Sequence, residues 1–404
     1  MRRRSQRSQR KRALRRPSLE RTSRNDPAMS GEKSTVGTER TASSRLPKSR
    51  VGWLLDPKLV TVVLTSVAIV FAGALIQISY GAYSMTFLEA WRALFNPNVV
   101  FNPQAWDAFL LGEAMPEMSS ESLIVWNIRL PRVFVAALVG MNLGVSGAIF
   151  QAVTRNELAS PFILGVSSGA GLMILLTLVV FGSLTAFLPI IAAVGGAVAF
   201  LIVYVIAWKN GTSPVRLVLA GVIVGTVFGS LQTGLFFFAD DIGVVQSAIA
   251  WTTGSLTGTD WEQVRLILPS TAVVVLFAVA GSRQMDVLLL GERTAQSLGM
   301  SIEKARFALS GVAVLAASAS IAVAGIVGFV GLIVPHMVRN LVGSDSKKLI
   351  VGCLFVGPAL MVSADVGARL ALSPTQIPVG IVTGLLGGPY FLYLMRKQEN
   401  MGEI

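Results

Sequence analysis

The chain has 404 residues, of which 53% are hydrophobic and 14% charged, whereas ordinary soluble domains carry about 25% charged residues. That apolar excess is too large for one buried core and points to a polytopic membrane protein. The net charge of +12 sits wholly in residues 1–50, which hold 16 Lys and Arg against 4 Asp and Glu; the neutral remainder gives no reason to expect nucleic-acid binding.

The first 50 residues are rich in Arg and Ser and poor in apolar side chains, so they cannot bury enough surface to fold. They read as a disordered basic cytoplasmic tail, with an RNA- or lipid-binding arm as the alternative. Met29 offers a second possible start. No apolar run follows the first Arg cluster closely, so a cleaved secretory signal is not expected. Residues 51–404 read as one transmembrane domain.

Ten apolar runs have the length of a bilayer crossing. They lie near 59–80, 130–152, 161–182, 187–208, 215–238, 264–281, 305–324, 326–342, 349–371 and 377–396. A tight outside turn is expected at Ala324-Gly325 between the seventh and eighth. Alternate loops collect opposite charge. One set, with the tail from Arg396, carries Arg155, Lys209, Arg216, Arg283, Arg293, Lys304, Arg306, Arg339, Lys347, Lys348, Arg396 and Lys397. The other carries Glu89, Asp107, Glu113, Glu117, Glu121, Asp240, Asp241, Asp260 and Glu262. The positive-inside rule then places both termini in the cytoplasm.

Within the runs, Gly140, Gly144 and Gly147 in the second and Gly221, Gly225 and Gly229 in the fifth form small-residue faces that permit close helix approach. Such a face serves either a tight bundle or a surface that slides during gating. Asp365 is the one acid well inside a span, and Arg369 follows four residues later on the same helix face, in favourable order for an ion pair. One Asp makes a poor proton relay, so a gradient-driven carrier is the weaker reading. The longest basic loop, residues 282–306, is too polar to span. It is expected to form short helices at Asp286–Leu290 and Glu292–Leu298, split at Gly291 and ended at Gly299, with Ala295 and Leu298 on one side. Exposed short helices of this kind are natural docking elements for a soluble partner.

The sequence has no GxxxxGK[ST] phosphate loop, no HExxH and no GxSxG. Its single cysteine, Cys353, and single histidine, His336, support neither a disulfide nor a metal centre. No cofactor or metal is expected. His336 reads as a hydrogen-bonding residue near the end of the eighth helix.

Four blocks carry a family resemblance: RLPRVFVAALVG with SGAIFQAVTRNELASPFILGVSSGAG (129–171), WTTGSLTGTDW (251–261), LLLGERTAQSLGM (288–300), and GIVGFVGLIVPHMVRNLVGSD with the segment to residue 397 (325–397). They resemble the permease subunits of type II ABC importers for ferric siderophores, haem and vitamin B12. The resemblance implies an all-α fold of about ten transmembrane helices in the inner membrane. Two permease subunits would surround the pathway, with a cytoplasmic ATPase dimer below and an extracytoplasmic binding protein above. ATP hydrolysis would reside on the partner, and the cargo would be a ferric siderophore or related chelate. By the same resemblance Arg129, Arg132 and Arg369 would dock the binding protein. Gly291, Glu292, Ala295, Leu298 and Gly299 would meet the ATPase. Asn156, Leu158, Gly221, Gly225 and Gly229 would serve gate and pathway. One departure is Asn156-Glu157-Leu158-Ala159, where family loops read Asn-Pro-Leu-Ala. Another is Pro214 near the expected gate hydroxyls, for which Thr212 and Ser213 are the nearest candidates.

Overall fold

A computed structural model describes residues 52–80, 85–239, 241–373 and 375–402. The basic tail and Met29 lie outside the described residues. Among the described residues the regular elements are all helical. Helix α1 spans Pro57–Ser79. Four short helices follow, α2 (Phe87–Leu94), α3 (Pro97–Val100), α4 (Pro103–Leu111) and α5 (Ser120–Ile124). A π-helical turn over Val125–Arg129 leads into α6 (Leu130–Thr154). Then come α7 (Val166–Val179), α8 (Leu188–Ala207), α9 (Pro214–Phe236), α10 (Ile242–Thr253), α11 (Trp261–Leu289), α12 (Glu292–Ser297), α13 (Ile302–Ala324), α14 (Val330–Val342), α15 (Ser346–Leu370) and α16 (Val379–Gly402).

Every predicted run finds a helix. Among the described residues seven helices are, by length and apolarity, able to cross a membrane, and α7, α14 and the apolar part of α16 are shorter. Several boundaries differ from expectation for identifiable reasons. The third run starts at Val166, because Pro161 opens a turn that closes at Gly165 with φ of 82°. The sixth run continues through Asp286 to Leu289 as one helix, so the expected separate helix at 286–290 is the end of α11. The predicted tight turn at Ala324-Gly325 is instead a five-residue passage to Phe329. Its backbone is tied to the end of α10 by Ile326 N–H to Trp251 O (2.9 Å) and by Ser255 N–H to Ala324 O (2.8 Å). Gly325 is required there, since a Cβ would lie 2.4 Å from Trp251 O.

Helix α6 is the centre of the bundle, packed by α15, α13, α11 and α14, while α7 packs on α8 and α9. The glycine face of α6 explains this density. A Cβ on Gly140 would fall 2.3 Å from Gly357 O on α15, and one on Gly147 would fall 1.7 Å from Gly331 O on α14. Backbone approaches backbone, as small residues allow in lipid, where packing replaces the hydrophobic effect.

The loops sort to two ends as their charge predicted. At the basic end Lys348 pairs with Asp56, and Ser346 N–H donates to Asp286 at 3.0 Å. Lys348 and the Lys58 amide hold the Asp56 carboxyl below its ordinary range. At the acidic end Trp261 donates its indole N–H to Trp126 O at 2.7 Å, inside the π turn, and Arg265 donates to Phe109 O at 2.8 Å.

Candidate functional site

At the acidic end, three arginines converge. Arg132 forms a two-pronged pair with Asp365, Nε to Oδ2 at 2.9 Å and Nη2 to Oδ1 at 2.7 Å, while Nη1 donates to Gln376 Oε1 at 2.7 Å. Asp365 is fully buried. Its partner is therefore Arg132, from 233 residues away, and the expected Asp365–Arg369 pair is corrected. The fork of Arg132 meets both carboxylate oxygens at once, whereas Arg369 turns to the C-terminal carbonyls of α1. It donates to Tyr80 O at 2.9 Å and Gln77 O at 3.3 Å. Arg129 donates to Ile78 O. Two guanidinium groups thus serve the carbonyls that a helix end leaves without partners and its negative dipole end. Arg129 and Arg132 are buried and Arg369 is half-exposed, so of the three predicted docking residues Arg369 is the most open to a partner in this conformation.

At the basic end, α12 is set between Gly291 (φ 99°) and Gly299 (φ 79°), left-handed positions that suit glycine. Ala295 is fully buried while Leu298 is 62% exposed. The expectation that they share one face is corrected, because the helix ends at Ser297 and Leu298 leaves its surface. Glu292 accepts from Arg306 at 2.9 Å and lies 3.7 Å from Arg155. Arg306 is buried and also donates to Thr212 O at 2.6 Å. Thr212 donates Oγ1 to Glu303 at 2.8 Å, and Ser213 caps α9 by accepting from Arg216 N–H at 3.3 Å. These bonds commit both candidate gate hydroxyls to the α8–α9 turn. Arg306 appeared in the sequence only as one more loop charge, although its position three residues after Glu303 at the start of α13 was a readable signal.

The turn holding Asn156 and Leu158 needs no proline. Asn156 Oδ1 accepts from Leu158 N–H at 2.9 Å, and Arg155 closes α6 in the left-handed region. Glu157 lies 3.4 Å from Arg339 Nη1 and 3.9 Å from His336 Nδ1. The sequence alone put no acid beside His336; the substitution at the departure from the family loop supplies it. Among the described residues no group of three or more His, Cys, Asp or Glu is arranged to hold a metal.

The pathway candidates on α9 open progressively. A Cβ on Gly221 would meet Ile163 O at 2.1 Å, one on Gly225 would meet Ser168 Oγ at 3.7 Å, and Gly229 has nothing within 4 Å. A cleft of about 500 Å³ follows this divergence, lined by Ser168, Gly225, Thr226, Gly229, Gln232 and Thr252 among others. Large apolar side chains on the same helix, including Val222, Ile223 and Val227, are exposed.

The family model described as the FecCD transport family matches residues 67–397. The chain belongs to this family. The iron(3+)-hydroxamate import system permease protein FhuG of Bacillus subtilis is 38% identical over 69% of this chain and 84% of its own length. The vitamin B12 import system permease protein BtuC of Vibrio cholerae is 40% identical over 70% of this chain and 85% of its own. A solved inward-facing ABC transporter, assigned to the metal-chelate type, superposes with a TM-score of 0.70 at 26% identity, covering 83% of this chain and 99% of that one. The FecCD chain is thus a multi-pass membrane protein of a transport family, with the helical architecture the sequence predicted.

Proposed function

We propose that this FecCD chain is the permease subunit of an ATP-driven importer that passes a ferric siderophore, or a related chelate such as haem or cobalamin, into the cell. The family match over residues 67–397 carries the reading. The pathway runs along α9, whose glycine face and hydroxyls line the 500 Å³ cleft. Few charged groups face that cleft, so it holds cargo weakly and selection falls to the binding protein.

The energy enters from a cytoplasmic ATPase dimer that meets α12 through Glu292, Leu298 and the flanking Gly291 and Gly299, with Ala295 anchoring the helix from beneath. ATP hydrolysis belongs to that partner. The exposed apolar side chains of α9 are suited to a second permease subunit across the pathway. Binding-protein carboxylates are drawn to the opposite end by three arginines facing one Asp365, with Arg369 making the direct contact. Asn156 and Leu158 shape the cytoplasmic gate. Both termini lie in the cytoplasm of a chain seated in the inner membrane, as the loop charges favour.

Reconstitution tests this directly. Proteoliposomes holding the permease and its ATPase should accumulate one chelate from a panel of ferric hydroxamate, ferric citrate, haem and cobalamin. Uptake should require ATP inside and the binding protein outside. Uptake driven by a pH gradient with no ATPase present would replace this reading with a secondary transporter.

A further inference from the structure

We infer that Arg306 is the positioning residue through which movement of α12 reaches the pathway helix α9. The inference rests on the ATP-driven reading above and names the link that reading lacks. Arg306 heads the large side chains that are almost fully buried, yet it is charged and lies at the basic end of the bundle. Its guanidinium fork is divided among three elements. Nη2 donates to Glu292 on α12 at 2.9 Å. Nη1 donates to Thr212 O at 2.6 Å and Thr212 Oγ1 at 3.0 Å, in the turn that precedes α9. The same nitrogen lies 3.3 Å from Glu303 on its own helix α13.

The far side of the link is rigid. Glu303 accepts from the Thr212 amide at 3.0 Å as well as from its hydroxyl. Arg216, in the first turn of α9, donates back to Gly211 O at 2.9 Å and to Ser213 Oγ at 3.2 Å. The α8–α9 turn and the start of α9 are thereby tied into one body. The near side is short, since α12 is six residues long and set between two left-handed glycines. A displacement of Glu292 must pull on a planar fork whose other prong holds the base of α9. A point-charge ammonium has no such second prong.

The cluster also has an unused capacity. Arg306 Nε is buried with no hydrogen-bond partner. A buried donor without a protein acceptor is uncommon in a folded chain. Coupling through a protein needs an element with two discrete arrangements, and the inference assigns that role to the divided guanidinium of Arg306.

The test uses the complete complex of permease, ATPase and binding protein, with Cys353→Ala removing the single native thiol and Thr226→Cys reporting from the cleft face of α9. Labelling by a membrane-impermeant maleimide is compared without nucleotide and after trapping with ATP and vanadate. With Arg306 intact, the two rates should differ by roughly fivefold or more, the span of ordinary site-to-site coupling. Arg306→Met should abolish the difference and lower thermal stability. Arg306→Lys keeps the charge, so it should restore thermal stability while the nucleotide response stays below about twofold. A full response in Arg306→Lys would overturn the inference. So would loss of both response and thermal stability in that variant, which would assign Arg306 to the fold alone. If nucleotide changes nothing with Arg306 intact, the ATP-driven reading fails first and the inference falls with it.

Discussion

The glycine faces of α6 and α9 look alike in sequence and are put to opposite uses. On α6, Gly140, Gly144 and Gly147 are all closed, with Cβ positions within 3 Å of atoms on α15 or α14. On α9 the face starts closed at Gly221, loosens at Gly225 and is open at Gly229. The first is a seam and the second opens into a cleft. Spacing of small residues licenses close approach; what the neighbour does decides whether that approach is made. A closely packed α6 beside a divergent α9 would suit a permease in which a rigid frame holds while one helix shifts.

The largest break in this contrast is expected at the frame's buried ion pair. Asp365→Asn leaves Arg132 charged and uncompensated, which should destabilise the protein by about 3–5 kcal/mol, while the double change Arg132→Met with Asp365→Leu should recover most of it. Thermal unfolding of the purified protein measures both. The glycine faces come next. Gly147→Ala places a methyl where Gly331 O sits and should lose about 1–3 kcal/mol through overpacking. Gly229→Ala meets open space and should gain roughly 0.5–1 kcal/mol from helix propensity. Equal effects at the two sites would erase the distinction between seam and cleft.

Much of the fold was legible because it follows from local physics. Apolar run length found the helices, and loop charge found the two ends. The missed pieces depend on contacts that spacing does not encode. Asp365 has a plausible partner four residues away in Arg369, yet it pairs with Arg132 because tertiary packing brings a better-oriented fork. Arg306 was one basic residue among many until burial separated it from the rest. The extension of α11 to Leu289 was hidden because polar residues at 282–286 read as loop, although Ser282, Met285 and Leu288 continue its buried face. Leu298 could not be placed on a face without knowing that α12 stops one residue earlier. The resemblance to importer permeases named the coupling helix and the outer arginines; the geometry adds which side chains within them are exposed and which are already committed.

Two engineered disulfides test the central claim, that the α6 seam is static and α9 moves. Gly144→Cys faces the native Cys353, since a Cβ there lies 3.5 Å from the Cys353 Cβ, within disulfide reach; Val334→Ala makes room for the added sulfur. Ser168→Cys with Gly225→Cys, in a Cys353→Ala background, bridges α7 to α9. Chelate uptake by the reconstituted importer is measured oxidised and reduced. The account predicts that the α6–α15 bridge leaves uptake intact, while the α7–α9 bridge stops it until reduced. Full uptake with α9 locked to α7 would contradict it.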